Sequence, residues 1–373
     1  MKKLILAGGG HGHINILKEL IKNPLNDYEI ILITDYKRQY YSGMLPGFIE
    51  GIYTEDKISF DVEDLCKKAG VKYINEKIVK ISAEEKSVTT IPLNNEKLND
   101  SLEGENKRMY KFDFISMNLG SYAKNTYQIA NSASYVKPIF SVVEFMKKID
   151  RDIDKEKTKK KKMIIVGGGA SGIELSYAFR ERYPNFEIEV FSNSDILHRF
   201  NKNTRKKAKK ELVQKKVLLH TYEPIKSVSS KEILTSRDKY QYDYLIVSNG
   251  VTGTPIEFEG YEVTDENFLK VENDLCADEN SIAMGDMVFL KKYPKTPKAG
   301  VFAIRQAPIL YKNLRNMLDG INERVEYTPQ KKYLQLLNCG SRNAILNYGK
   351  RYSFKGKIPW KIKDYIDREY MKI

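Results

Sequence analysis

Two stretches of the chain show the same succession of apolar and polar positions. Residues 4–7 and 163–166 are apolar runs of strand length, and each is followed at once by three glycines and then by apolar residues at helical spacing. A β-like run closes each stretch, at residues 30–33 and 188–191. Strand, glycine turn, helix and strand in this order begin a dinucleotide-binding fold, so the pattern predicts two such units in one chain.

The second glycine turn carries the complete G-x-G-x-x-G spacing, at Gly167, Gly169 and Gly172. The first glycine allows the tight turn, the second lets the backbone approach a pyrophosphate at the helix N-terminus, and the third lets helix and strand pack closely. The alternative is a glycine turn that binds no nucleotide. About 20 residues after Gly172, where an acid indicates NAD and an arginine NADP, the chain has Ser192, so both coenzymes stay open.

The first glycine turn keeps Gly8 and Gly10 but has His13 at the third position. A bulky residue there predicts looser packing or a shifted helix, with the phosphate-binding turn retained. Asp35 stands at the end of the next apolar run, about 20 residues further on, where a carboxylate binds a ribose hydroxyl. Thr34 would take that place if the register differs by one residue.

Three later segments are typical of strands that complete these units. Residues 113–121 and 243–250 resemble each other, because each has an acid, an aromatic residue, an apolar strand and a glycine, Gly120 or Gly250. Each is expected to close its own nucleotide domain. Residues 281–286 form a third apolar strand, which ends in Gly-Asp.

The composition excludes several classes of protein. The chain has 373 residues, of which 41% are hydrophobic, which favours two or three domains with real cores over wholesale disorder. No apolar run reaches the ~18–20 residues of a transmembrane helix, and the first apolar run is too short for a signal peptide. Three widely spaced cysteines exclude a disulfide scaffold and a cysteine-ligated metal site, and they fit a reducing, cytoplasmic setting.

The positive net charge is compatible with acidic ligands but does not indicate which kind. Lysine and arginine number 63 against 49 acids, a formal net charge of +14. The basic runs do not interleave aromatic residues as nucleic-acid grooves do, so no nucleic-acid partner is predicted. His11 and His13 do not share a helical face, and no nearby acid or cysteine completes a ligand set, so no metal site is predicted either.

The two glycine turns and the Gly-Asp strand together resemble the two-dinucleotide-binding-domain flavoproteins of the pyridine nucleotide–disulfide oxidoreductase superfamily. Within it the chain is most similar to the type II NADH dehydrogenase-like subgroup, including the flavoprotein module fused to selenide, water dikinases. Residues 8–11 (Gly-Gly-Gly-His), 41–47 (Tyr-Ser-Gly-Met-Leu-Pro-Gly) and 299–308 carry this similarity. The chain departs from the disulfide reductases at residues 38–47, which contain no cysteine, so a dithiol relay there is chemically excluded.

The resemblance implies an α/β fold of two Rossmann-like domains, the second inserted in the first. The FAD domain would comprise residues 1–125 and 255–328, the NAD(P)H domain residues 126–254, and a small cap with an amphipathic helix residues 329–373. The implied contacts with FAD are Gly8, Gly10, His11, Asp35, Ser42, Gly43, Val79, Gly120, Gly285, Asp286 and Ala299. Those with NAD(P)H are Gly167, Gly169, Ser171, Gly172 and Gly250.

The implied reaction is hydride transfer from NAD(P)H to the flavin, followed by electron delivery to a quinone or another small diffusible acceptor. The candidate catalytic residues are Glu174, in the first turn of the second nucleotide helix, and Arg305 and Gln306, on a helix whose N-terminus would face the flavin. An ordinary N-terminal acid and a solvated helix face are the alternatives for these residues. Residues 40–47 would form either part of an acceptor pocket or packing beneath a loop.

Two other activities stay open: flavin-dependent oxidation of sulfide or selenide, and a flavin-bound redox sensor or binding protein with slow turnover. The lack of cysteine at residues 40–47 counts against the first. From residue 361 the sequence predicts a short basic amphipathic helix with Ile362, Tyr365 and Ile366 on one face. This helix would lie on the cytoplasmic face of a membrane, or dock on its own protein or on a second subunit of a homodimer.

Overall fold

The computed structural model describes residues 1–93, 106–124, 126–127, 129–130, 132–155 and 160–372. The helices in these ranges are α1 (His11–Lys22), α2 (Leu45–Ile49), α3 (Val62–Lys68), α4 (Ile139–Lys155), α5 (Ala170–Arg182), α6 (Lys202–Gln214), α7 (Gly300–Leu318) and α8 (Lys357–Met371). The strands are β1 (Lys2–Ala7), β2 (Tyr28–Thr34), β3 (Arg38–Tyr40), β4 (Ser59–Asp61), β5 (Lys72–Ser82), β6 (Ser87–Pro92), β7 (Arg108–Lys111), β8 (Phe114–Met117), β9 (Tyr122–Ala123), β10 (Ala133–Tyr135), β11 (Lys162–Val166), β12 (Glu187–Ser192), β13 (Val217–Thr221), β14 (Ile225–Val228), β15 (Glu232–Thr235), β16 (Lys239–Gln241), β17 (Tyr244–Val247), β18 (Val251–Thr252), β19 (Glu257–Glu259), β20 (Leu269–Val271), β21 (Ser281–Ala283), β22 (Val288–Leu290), β23 (Leu334–Gly340), β24 (Asn343–Tyr348) and β25 (Tyr352–Gly356).

An eight-stranded sheet carries the first glycine turn. Its strands lie in the order β21-β8-β1-β2-β5-β6-β7, with β19 also paired to β5, and the five strands from β21 to β5 run parallel. Leu4 pairs with Ile30 on one side and with Phe114 on the other. Because β19 and β21 follow residue 250 in the chain, the polypeptide leaves this sheet and later returns to it. The expected insertion of one Rossmann-like domain in the other is therefore confirmed.

A parallel five-stranded sheet, in the order β10-β17-β11-β12-β13, carries the second glycine turn. Every residue of β17, and all of β11 after its first residue, is buried. Parallel strands covered on both faces need continuous apolar runs rather than alternation, which explains the pattern of residues 163–166. The predicted α/β class with two Rossmann-like units is confirmed.

The internal repeat extends to individual hydrogen bonds. The carboxylate of Asp113 accepts the backbone N–H of Lys3 at 2.6 Å, and that of Asp243 accepts the backbone N–H of Lys162 at 2.8 Å. Each acid thereby holds the start of the central strand of its own sheet. This shared contact accounts for the acid that opens both of the similar segments.

The two segments that follow these strands pair with each other. Gly120 and Gly250 have φ of +77° and +110°, a backbone region that favours glycine, and each directs the chain into a short strand. Those strands, β9 and β18, form an antiparallel pair in which Val251 lies opposite Ala123. The chain thus passes between the two sheets along one two-stranded connection.

The C-terminal segment forms an antiparallel sheet, β23-β24-β25, followed by α8. Helix α8 begins at Lys357, four residues before the predicted start, because Pro359 is tolerated in a first helical turn. One face of α8 packs inward and buries Pro359 and Asp367. The opposite face exposes Ile358, Ile362, Tyr365 and Ile366. Among the described residues, no helix has the length and apolar character that crossing a bilayer would require.

Candidate active site

A cavity opens at the carboxyl ends of β1, β2 and β8, the edge at which open α/β sheets bind their ligands. The predicted FAD contacts that line it are Gly8, Gly10, His11, Asp35, Ser42, Gly120, Gly285 and Asp286. Gly43, Val79 and Ala299 are not lining residues, although their neighbours Ser42, Ile78 and Gly300 are. The fold therefore gathers into one cavity residues that lie far apart in the sequence.

The first glycine turn leaves no room for side chains on its inner side. Gly8 has a φ of +93°, and a Cβ atom there would lie 2.6 Å from the carbonyl oxygen of Asn118. Gly10 is the N-cap of α1, and its own Cβ would lie 2.3 Å from Asn118 Oδ1. The turn therefore presents the N-terminus of α1 to the cavity, which is the arrangement that binds a pyrophosphate.

Asn118 joins the two motifs of this site, and the sequence reasoning did not single it out. Its Oδ1 accepts the N–H of Gly12 at 2.8 Å, and its Nδ2 donates to the carbonyl of Met284 at 3.0 Å. A buried amide thus holds the start of α1 against the strand that ends in Gly285-Asp286. The available signal was a polar residue directly after an apolar strand.

His13 occupies the place that a third glycine takes in the second turn. Its Nδ1–H donates to the carbonyl of Gly8 at 2.5 Å, and its Nε2 is 2.9 Å from Ser116 Oγ. Complete burial lowers the pKa of His13 to about 4, so the ring is neutral. The ring spans the space between α1 and β8, whereas in the second turn a Cβ on Gly172 would lie 2.0 Å from Gly167 O. The first turn therefore accommodates a buried side chain at a position where the second turn has room only for glycine.

The carboxylate of Asp35 faces the cavity at the end of β2. Burial raises its pKa to about 6, and the charge of Lys77 opposes that effect only in part. A half-buried carboxylate with a raised pKa is stabilised by hydroxyl donors, so the site fits a ribose. Thr34 lies beside it, but its Oγ1 accepts the N–H of Tyr36 at 3.4 Å.

A charged cluster forms the opposite end of the cavity. Lys137 forms an ion pair with Asp286 and donates to Ser121 Oγ at 2.8 Å. Gln306 is buried, and its Oε1 accepts the N–H of Gly285 at 2.8 Å, which fixes the turn that carries Asp286. Lys137 was not predicted from the sequence, because it belongs to no motif that would distinguish it from the other lysines.

Helix α7 points its N-terminus into the cavity. Its N-cap is Ala299, and its first residue, Gly300, lines the cavity together with Ala303. The partial positive charge at this helix end suits a ligand that gains negative charge. Arg305 instead lies on the exposed side of α7, and neither predicted residue of this helix lines the cavity itself. Gln306 contacts the cavity wall only through its hydrogen bond with Gly285.

The second glycine turn repeats the close approach of the first. Gly167 has a φ of +125°, and a Cβ there would lie 2.1 Å from Ser248 O. Gly169 is the N-cap of α5, with open space where a side chain would be, and Ser171 is exposed. Ser192 ends β12, close to Gly168, whose Cβ would lie 2.5 Å from Ser192 Oγ. The N-terminus of α5 is thus open to a second anionic ligand.

Glu174 is the fifth residue of α5 rather than part of its first turn, because the helix begins at Ala170. Its Oε1 accepts the N–H of Asn338 in β23 at 2.7 Å. Burial raises the pKa of Glu174 to about 7, while the charge of Lys363 acts in the opposite direction. Lys363 itself donates to Gly43 O at 2.5 Å and to Asp367 Oδ2 at 2.6 Å. Glu174 therefore lies among charged groups, next to the loop of residues 40–47.

The loop of residues 40–47 partly lines the cavity and partly packs against the rest of the protein, and its role in an acceptor pocket stays a prediction. Tyr40 and Ser42 line the cavity, whereas Met44 is buried and Tyr41 OH donates to Asp367 Oδ1 at 3.1 Å. The cysteines lie elsewhere: Cys66 and Cys339 are buried, Cys276 is half-buried, and none of them is among the lining residues. In the described ranges, no cluster of three or more His, Cys, Asp or Glu side chains is arranged to hold a metal ion.

Two glycine turns at helix N-termini, a half-buried acid at the end of β2 and a Gly-Asp strand facing a third helix N-terminus are the features of a two-Rossmann-domain flavoprotein. Residues 2–307 match the pyridine nucleotide-disulphide oxidoreductase family, and the chain belongs to that family. A probable NADH dehydrogenase of Dictyostelium discoideum is 24% identical, over 96% of this chain and 84% of that protein. A type II NADH:quinone oxidoreductase of Staphylococcus haemolyticus is 23% identical, over 86% of this chain and 83% of that protein. The structure of NDH2 from Plasmodium falciparum in complex with NADH superposes with a TM-score of 0.74 at 16% identity, over 99% of this chain and 96% of that one. The chain is therefore a flavin-dependent oxidoreductase of pyridine nucleotides.

Proposed function

We propose that this chain is a type II NADH dehydrogenase-like enzyme that passes electrons from NADH to a quinone or another diffusible acceptor. The observation that carries the proposal is the thiol-free cavity that runs from Asp35, past the first glycine turn, to Asp286 and the start of α7. It has the groups for a flavin dinucleotide, and its wall offers no cysteine for a disulfide relay. The names of the two similar proteins, an NADH dehydrogenase and an NADH:quinone oxidoreductase, support the same activity.

FAD fits the groups that the cavity presents. Asp35 would accept hydrogen bonds from the ribose, the N-terminus of α1 would bind the pyrophosphate, and Asp286 would accept from the ribityl hydroxyls. The half-buried carboxyl of Asp35, with its raised pKa, is the group that such hydroxyls would stabilise. When bound, FAD supplies the hydride acceptor and passes electrons singly or in pairs to a second substrate. We assign residues 1–125 and 255–328 to this domain and residues 329–373 to the cap.

NADH would bind in the inserted domain, residues 126–254, against the N-terminus of α5. Gly167, Gly169 and Gly172 would hold its pyrophosphate, and the turn at Gly250 would border the site. The names of relatives favour NADH, but Ser192 lacks the carboxylate that usually selects it. NADPH is therefore compared with NADH in the experiment below.

Three elements of the chain would carry the transfer. Glu174, as a carboxylate, would bind the carboxamide of the nicotinamide ring and stabilise the positive charge that the ring acquires. The N-terminus of α7 would stabilise negative charge at the far side of the cavity. Gln306 would keep Asp286 in place through Gly285. Arg305, which is exposed, stays a candidate only for contacts outside the cavity.

The acceptor would approach beside the loop of residues 40–47, where α8 packs. The outer face of α8 exposes Ile358, Ile362, Tyr365 and Ile366, and lysines flank it. A helix with such a face lies in the surface of an anionic bilayer, here on the cytoplasmic side, and would bring the site to a lipid-soluble quinone. A second subunit covering this face in a homodimer is the competing arrangement.

The proposal is tested by following the flavin absorbance without oxygen. We expect rapid bleaching by NADH and rapid recovery when a water-soluble quinone is added. If only NADPH bleaches the flavin, the coenzyme is NADPH rather than NADH. If neither coenzyme bleaches it, a flavin-bound redox sensor is favoured over an NAD(P)H dehydrogenase. If the quinone does not restore the absorbance, the acceptor assignment fails. Bleaching of the oxidised flavin by sulfide, without NADH, would favour sulfide oxidation instead.

The membrane contact is tested separately, by flotation with anionic vesicles. Ile362→Glu should reduce binding to the vesicles, whereas Val213→Glu, at a more exposed apolar site on α6, should not. Equal flotation of both variants would contradict membrane binding through α8. Sedimentation of the same samples would show whether that face joins two subunits.

A further inference from the structure

The last turn of α8 reaches the first glycine turn of the chain. The hydroxyl of Tyr370 lies 2.7 Å from Nδ1 of His11, although 359 positions separate the two residues. His11 is the first residue of α1 and lines the cavity beside Gly10 and Asp286. A side chain from the C-terminal segment therefore contacts the wall of the proposed dinucleotide site directly.

Surrounding side chains hold Tyr370 in place. Its ring packs 4.6 Å from that of Tyr41 and 6.1 Å from that of Phe60, and the ammonium of Lys18 lies 5.9 Å from its centre. Lys18 also donates to the carbonyl of Lys372 at 2.5 Å, which ties the end of α8 to α1. The hydroxyl of Tyr370 therefore has little freedom to leave His11.

The protonation states decide the direction of this hydrogen bond. Desolvation lowers the pKa of His11 to about 4, with Asp286 raising it and Lys137 lowering it further, so the ring is neutral and one nitrogen is an acceptor. Burial raises the pKa of Tyr370, so the phenol keeps its proton. In the described part of the chain that phenol has no other acceptor, so it donates to Nδ1. The single proton of the imidazole is then on Nε2.

We propose that Tyr370 is a positioning residue that holds His11 as the Nε2–H tautomer, so that this N–H donates to a phosphate oxygen of the bound dinucleotide. The inference rests on the proposed function of the cavity as an FAD site. A phosphate oxygen is the acceptor because His11 opens the helix whose free N–H groups mark the pyrophosphate position. The Nε2–H of His11 would thus give the phosphate one directed hydrogen bond in addition to those from the backbone N–H groups at the helix N-terminus.

The tautomer is tested first, in the wild-type protein with FAD bound. Histidine labelled with 15N would give signals from four residues, and the one lost in His11→Gln belongs to His11. We expect an acceptor-type shift at Nδ1 and a protonated-type shift at Nε2. The reverse pattern in the wild-type protein overturns the proposal. In Tyr370→Phe the two tautomers should mix and the shifts should move together.

Cofactor affinity is tested by dilution of the holoprotein, with flavin release read by fluorescence. Tyr370→Phe should weaken FAD binding by about three- to tenfold, and His11→Leu by about tenfold or more. His11→Gln keeps a donor near Nε2 and should lie closer to wild type. Tyr352→Phe, at an exposed tyrosine of the same C-terminal segment, is the control and should bind FAD normally.

The outcomes separate this inference from the function on which it rests. If the wild-type protein retains FAD but Tyr370→Phe has its normal affinity and unchanged 15N shifts, only the positioning role is overturned. If His11→Gln binds FAD as weakly as His11→Leu does, the proposed hydrogen bond from Nε2–H to the phosphate is overturned. If the wild-type protein does not bind FAD at all, the proposed function fails and this inference fails with it.

Discussion

Replacing Asp35 with asparagine should change stability and cofactor affinity in opposite directions. Burial holds the pKa of Asp35 at about 6 instead of 3.8, so the folded, flavin-free protein disfavours the charged carboxylate. Because the pKa is raised on folding, the resulting loss of stability is absent below pH 3.8, grows as the pH rises to about 6, and is constant above that. At about pH 8 it amounts to about 3 kcal/mol. Asp35→Asn should recover most of this amount.

The same change should weaken FAD binding, because an amide is a poorer acceptor for ribose hydroxyls than a carboxylate. The expected loss is about 1.5–3 kcal/mol, or roughly ten- to a hundredfold in affinity. Urea unfolding of flavin-free protein at several pH values measures the stability, and flavin fluorescence measures the affinity. Asp265→Asn, at an exposed acid, is the control for both. The reasoning is refuted if the stability gain of Asp35→Asn is the same at low and at neutral pH, or if the variant is less stable at about pH 8.

Two further predictions concern the residues proposed for catalysis. The rate of flavin reduction by NADH should rise through about pH 7, because the carboxylate form of Glu174 stabilises the positive nicotinamide. Glu174→Gln should remove that dependence and slow the step by on the order of tenfold, about 1.4 kcal/mol. Glu187→Gln, an exposed acid of the same domain, should change neither, and a pH profile kept by Glu174→Gln would assign the titration to another group. Gln306→Ala leaves the buried N–H of Gly285 without its acceptor and should weaken FAD binding by about 1–3 kcal/mol. Lys312→Ala, on the exposed face of α7, serves as its control, and equal FAD retention by both variants would contradict the role of Gln306.

The fold could be predicted because its buried parallel strands are continuous apolar runs that can be recognised in the sequence. The apolar runs, the glycines and the acids Asp113 and Asp243 are local signals, and the repeat made each of them visible twice. The insertion of one domain in the other was implied by the resemblance to a known family. Helix ends were less certain: α8 starts at Lys357 because a proline is tolerated in a first turn, which the apolar spacing alone did not show.

The site could be predicted only where a residue has a fixed place in a local motif. Gly8, Asp35 and Asp286 belong to such motifs, and each of them lines the cavity. Lys137 and Asn118 are single polar residues with no spacing to mark them, and their roles depend on partners far away in the chain. Arg305 lies in a recognised segment, but the structure places it on the exposed side of α7. Membership of a segment does not decide which side of a helix a residue occupies.

The C-terminal segment has at least one hydrogen bond with each proposed working part of the site. Asn338 donates to Glu174, Lys363 donates to Gly43 in the loop beside the cavity, and Tyr370 bonds to His11 at the first glycine turn. These partners lie 164, 320 and 359 positions away in the sequence, which is why no local pattern reveals them. A segment that bonds to both nucleotide-binding units at once fixes their relative placement. Since hydride transfer requires close and oriented rings, the cap contributes to the reaction by geometry, although none of its residues would need to touch a substrate.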